Sequence, residues 1–102
     1  MLLLPAMWHY VYVLENAEGR QYVGSTSNVE LRLAKHNHGE VSHTSKFRPW
    51  KLAHASSFPS KGQALAYEKY LKSGSGTEFR YRHLVPNKRA SEASRVSAAD
   101  AP

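Results

Sequence analysis

The run His9-Tyr-Val-Tyr-Val-Leu14 is β-branched and aromatic, with apolar groups at odd and even positions alike. Such a run reads as a strand covered on both faces. Glu15-Asn-Ala-Glu-Gly19 is turn-forming, and Gln21-Tyr-Val-Gly-Ser-Thr26 reads as a second strand. Five residues close a hairpin comfortably. A symmetric register sets Leu14 opposite Arg20 and Tyr12 opposite Tyr22. That predicts a cross-strand tyrosine pair with Cβ atoms about 5 Å apart.

The period then changes from two to 3.6. Ser27-Asn-Val-Glu30 has the form of a capping box and Gly39 supplies a stop, which predicts a helix over 28–38. Val29, Leu33 and His36 share one face of it, with Arg32 on the flank. Residues 40–49 are polar and basic and read as a loop ending at Pro49; Trp50–Phe58 reads as a third strand. Ser60-Lys-Gly-Gln63 repeats the capping-box form and opens a helix that ends before Gly74. Its apolar arc holds Ala64, Leu65, Tyr67 and Leu71. Gly74-Ser-Gly76 reads as a stop, and Thr77 as the cap of a last short helix through Leu84. From Val85 onward Ala, Ser and charges dominate, so 85–102 is expected to be a disordered tail and 1–7 a short extension. The expectation is one α+β domain over 8–84, a small three-stranded antiparallel sheet flanked by helices.

Composition narrows the class. With 102 residues, 41% apolar and 22% charged, the chain fits one small globular domain. The apolar start, Met1 to Trp8, is too short for a membrane span and lacks the basic lead of a secretory signal. There is no cysteine, which excludes disulfides, thiolate metal sites and a cysteine nucleophile, and fits a cytoplasmic setting. The formal charge is +6, and eleven basic against six acidic residues lie between Trp8 and Leu84. A basic body suits a polyanion, because each neutralised phosphate releases counterions. Lys46, Arg48 and Lys51 cluster between the first helix and the third strand and are the candidate nucleic-acid contacts.

Three groups invite chemistry. Glu68 lies inside an apolar helical arc, where a lone carboxylate is costly; it either pairs with a lysine or turns into a site as a ligand for a hard cation. Arg32 and His36 are an i, i+4 pair at the core edge. A guanidinium there can cover the helix flank or grip a phosphate, and the histidine can be a proton donor, a phosphate contact or a core residue. The six histidines show no zinc-ligand spacing. No glycine-rich phosphate loop is present.

In order and spacing these residues resemble one family. Tyr10-Val11-Tyr12, Tyr22-Val23-Gly24, Arg32 with His36, and Glu68 within Ala64–Lys72 are similar to the signature of the GIY-YIG nuclease superfamily, over about Trp8 to Leu84. The likeness is strongest to small stand-alone bacterial members. It implies a three-stranded antiparallel sheet with helices and divalent-metal-dependent cleavage of DNA phosphodiesters, with roles in DNA repair or processing. By position, Tyr12, Tyr22, Arg32, His36 and Glu68 are the implied catalytic residues. Glu68 is the implied ligand of one Mg²⁺ or Mn²⁺, and Arg32 also meets the nucleic acid. DNA is the implied partner, with no small-molecule cofactor and no membrane. Two departures stand out: Tyr10 occupies the first glycine position, and the asparagine that many members carry downstream has only Asn87 as a counterpart. The alternatives are a nucleic-acid binding module on the same fold, or a domain active only with a partner protein.

Overall fold

The computed structural model describes residues 7–85. The expected extension and tail lie outside that range, apart from Met7 and Val85. Val85 is not tail-like: it is buried in the core.

The hairpin forms as strands β1 (His9–Glu15) and β2 (Gln21–Thr26). The third strand is β3 (Lys51–Phe58), and the sheet order is β2-β1-β3, antiparallel throughout. β1 is therefore the central strand, as its two-sided apolar pattern requires. The hairpin register differs from the symmetric expectation: Leu14 faces Tyr22, and Tyr12 faces Gly24 rather than Tyr22. The cause is Asn16. Its Oδ1 accepts from the Glu18 and Arg20 amides at 3.1 and 2.9 Å, organising residues 16–20 as the loop. Glu15 is thereby free to extend the strand and pair with Gln21.

Helix α1 (Val29–Asn37) is capped by Asn28, one residue later than expected, with Oδ1 accepting from the Leu31 amide at 3.0 Å. Gly39, at φ 79°, ends it as expected. Residues 40–49 are a loop with one 3₁₀ turn at Ser45–Phe47. Helix α2 (Lys61–Lys72) begins with the expected Ser60 cap on the Gln63 amide. Helix α3 (Gly74–Phe79) starts where a stop was expected. Ser73, not Thr77, caps it, its hydroxyl accepting from the Gly76 amide at 3.1 Å. Gly76 serves close packing, since a β-carbon there would run into the Tyr70 carbonyl. A wider π-type turn at Arg80–Leu84 follows.

The sheet is the middle of three layers. Val11, Val13 and Val23 pack with Ala64, Leu71 and Val85 beneath α2. Tyr12, Leu14 and Trp50 pack on the other face with Tyr22, Val29 and Leu33 beneath α1. Leu65, expected in the buried arc of α2, is instead exposed. Arg80 ties the third layer to the hairpin: its guanidinium donates to the Leu71 carbonyl, to Gln21 Oε1 and to Thr77 Oγ1 at 3.0, 2.7 and 3.1 Å.

Candidate active site

β2 is one border of the sheet; α2 packs on it from one face, and side chains of α1 reach its Tyr22 from the other. From the α1 face come Tyr12, Tyr22, Arg32 and His36. The Tyr12 and Tyr22 rings are 6.3 Å apart, as diagonal rather than directly opposed neighbours. The Tyr12 hydroxyl meets His36 Nε2 at 2.9 Å, and the Tyr22 ring lies 4.9 Å from the imidazole. Gly24 makes this arrangement possible. A β-carbon at Gly24 would sit 2.5 Å from the Tyr12 hydroxyl oxygen and 2.7 Å from Cζ, so the phenol lies across β2 where a side chain would otherwise stand.

His36 is fully buried. That removes the direct phosphate contact the sequence allowed, and it is more than a core histidine with one bond. Its second nitrogen, Nδ1, lies 2.7 Å from Thr44 Oγ1. Burial, and then the Arg32 guanidinium, push the imidazole pKa down, so the ring is neutral at pH 7. Burial pushes the Tyr12 phenol up; Arg32 opposes that by favouring the phenolate, while Tyr22 and the Glu68 carboxylate add to it. Fields from both helices thus converge on one hydroxyl.

From the α2 face comes Glu68. Its Oε1 accepts from the Ser25 hydroxyl at 2.9 Å and its Oε2 from Lys72 Nζ at 2.8 Å. The side chain is 17% exposed, so the carboxylate is sheltered yet reachable from solvent. Glu68 pairs with a lysine, the first of the two sequence readings, while its other oxygen is held by Ser25 of β2. Among the described residues no three His, Asp or Glu side chains come together. One carboxylate does suit a hard cation such as Mg²⁺ that keeps several waters and takes phosphate oxygens. Arg32 has no carboxylate within ion-pair distance among the described residues.

The GIY-YIG catalytic domain matches residues 8–82. The chain belongs to the GIY-YIG family. This GIY-YIG chain is 44% identical over 66 residues to a UPF0213 protein of Natronomonas pharaonis, covering 64% of itself and 78% of that relative. It is 42% identical over 65 residues to a UPF0213 protein of Bacillus licheniformis, covering 63% of itself and 67% of the relative. The solution structure of a UPF0213 protein from Bacillus halodurans shares 37% identity, covering 72% of this chain and 81% of that one, with a TM-score of 0.45. The family is a nuclease superfamily. No helix among the described residues is long and apolar enough to cross a membrane.

The loop cations divide. Lys46 and Lys51 are exposed. Arg48 donates to the Ser45 carbonyl at 2.7 Å and packs against Gly39, so it closes the C-terminal end of α1. Three residues of the site escaped the sequence reading. Lys72 had a signal, its i+4 spacing from Glu68. Ser25 and Thr44 had none, because only the register and the loop path bring them in; Gly24 stood in the signature, but its contact with Tyr12 follows from the register alone.

Proposed function

We propose that this GIY-YIG domain, over residues 8–84, is a divalent-metal-dependent nuclease that hydrolyses DNA phosphodiester bonds. The supporting observation is the convergence at one sheet border of two phenols, a guanidinium and a carboxylate. Their charges act on a common point, the Tyr12 hydroxyl.

Each group has work suited to its chemistry. Glu68 would hold one Mg²⁺ or Mn²⁺, which supplies Lewis-acid stabilisation of the leaving oxygen. Ser25 fixes the carboxylate rotamer from β2. Arg32 grips a non-bridging phosphate oxygen and offsets the charge that develops there. The tyrosine pair supplies the acceptor for the proton of the attacking water. A phenol with an ordinary pKa near 10 is a weak base at neutral pH; burial holds Tyr12 above that value, and Arg32 is the group that opposes the rise. His36 is too buried to touch DNA and acts through Tyr12, which is itself buried, so the half-buried Tyr22 is the member of the pair open to solvent. Lys46 and Lys51, with Arg48 at the helix end, hold the DNA backbone beside the site.

The test is cleavage of single-stranded, duplex, flap and branched DNAs with Mg²⁺ or Mn²⁺. Glu68→Gln keeps shape and hydrogen bonding but removes the charge, so added metal should no longer restore the rate. Arg32→Lys keeps the charge and loses the fork, and should cost on the order of 10²–10³ in rate. The larger loss between Tyr12→Phe and Tyr22→Phe identifies the base. A folded wild-type protein that binds DNA yet cuts no substrate with either metal would overturn the reading in favour of a binding module.

A further inference from the structure

Thr44 sits in a loop of polar and basic residues, flanked by exposed Ser42 and His43 and half-exposed Ser45. Its own exposure is 1%. Three backbone bonds set its position. Its amide donates to the Val41 carbonyl at 3.1 Å, and its carbonyl accepts from the Phe47 amide at 3.1 Å and from the Trp50 indole N–H at 3.0 Å. Trp50 is itself anchored to α1, where the Asn37 side-chain amide exchanges two bonds with the Trp50 backbone at 2.6 and 2.9 Å. The Thr44 hydroxyl is thus delivered to His36 Nδ1 by a braced loop.

Two proton arrangements fit a tyrosine, an imidazole and a hydroxyl in line. In one, Thr44 donates to Nδ1, Nε2–H donates to the Tyr12 oxygen, and the Tyr12 proton points away from His36. In the other, the Thr44 hydroxyl donates to the Val41 carbonyl, which lies 3.3 Å away. Nδ1–H then donates to Thr44 Oγ1, and Tyr12 O–H donates to Nε2. The second arrangement gives all three protons an acceptor already in place, whereas the first leaves the Tyr12 proton without one among the protein bonds of this cluster. Buried donors are nearly always satisfied, which selects the second.

We infer that Thr44 is a positioning residue that locks His36 in the Nδ1–H tautomer, so that the Tyr12 hydroxyl gives its proton to His36 and turns its lone pairs to the site. In the reaction Thr44 then keeps the buried Tyr12 oxygen an acceptor toward Arg32, the group that favours its phenolate. This consequence for the reaction rests on the nuclease reading; the tautomer itself does not.

The test therefore has an arm that needs neither metal nor DNA. Long-range ¹H–¹⁵N spectra of the full ¹⁵N-labelled chain, with His36 assigned by its loss in His36→Phe, should show Nδ1 protonated and Nε2 bare. Thr44→Ser keeps the hydroxyl and should keep that pattern. Thr44→Val is nearly isosteric and should abolish the preference or reverse it. In the cleavage assay Thr44→Val should lower kcat about tenfold with KM unchanged, and Thr44→Ser should restore it. An Nε2–H tautomer in the wild-type chain overturns the inference, as does a folded Thr44→Val that keeps the Nδ1–H pattern. Should Thr44→Val fail to fold, the wild-type and Thr44→Ser spectra still decide. A wild-type chain that shows the Nδ1–H tautomer yet cleaves nothing refutes the nuclease reading alone.

Discussion

Replacing Gly24 by alanine adds one methyl group and removes no charge, hydrogen bond or chemical group. In an ordinary strand it should help, because glycine costs about 0.5–1 kcal/mol relative to alanine. At Gly24 the new carbon would lie 2.7 Å from Tyr12 Cζ and 2.5 Å from its oxygen. Carbon pairs rest at about 3.5–4.0 Å, so the ring tip must retreat by about 1 Å. Its bond to His36 Nε2, now 2.9 Å, stretches past the length of a useful hydrogen bond. Overpacking of this kind costs about 1–3 kcal/mol; offset by the backbone gain, the net loss is about 1 kcal/mol. For a domain this small that lowers Tm by about 4–8 °C. Activity should fall much further, by about 100-fold, since a 1 Å misplacement of a reacting group has that effect. Thermal melts and single-turnover cleavage of the same preparations measure both. A Gly24→Ala chain with wild-type melting and wild-type rate would show that the phenol does not lie against β2, and the site geometry would be wrong.

His36 and His54 both titrate below their ordinary value of 6.5, each chiefly through burial. The unfolded chain therefore takes up these protons first, so stability is full above about pH 6.5 and declines as pH falls below it; a Tm unchanged between about pH 7 and 5.5 would contradict this. Lys72→Met frees Glu68 Oε2 from its ammonium partner and should tighten Mn²⁺ binding, read directly from the Mn²⁺ spin-resonance signal. Weaker binding would instead assign Lys72 to holding the carboxylate in place. Replacing Lys46, Arg48 and Lys51 together by alanine should flatten the salt dependence of DNA affinity by about 0.9 in log–log slope for each phosphate no longer neutralised; an unchanged slope places the DNA elsewhere.

The hairpin shows where sequence pattern stops being informative. A shift of two residues in register keeps every side chain on its face, so alternation cannot distinguish Tyr12 opposite Tyr22 from Tyr12 opposite Gly24. The choice was made by the Asn16 side chain within the turn. Caps were legible where a hydroxyl met a glutamine at the right spacing, as at Ser60 and Gln63. They were misread where serine and asparagine competed, as at Ser27 and Asn28. The five signature residues were legible because they sit in regular elements and their order is distinctive. Thr44 was not, because a buried threonine in a polar loop differs from an exposed one only in the path of the backbone around it.

A border strand offers a row of unpaired backbone groups, the usual seed for sheet-to-sheet self-association. Proteins commonly blunt such borders by covering them. On the proposed reading β2 stays uncovered, because a scissile phosphate would have to reach residues held on both faces at once. The opening that would admit substrate would also admit a second copy of the chain. Arg32 and Lys72 would set like charges against such a neighbour while favouring a polyanion, so neutralising both should cost solubility as well as DNA affinity.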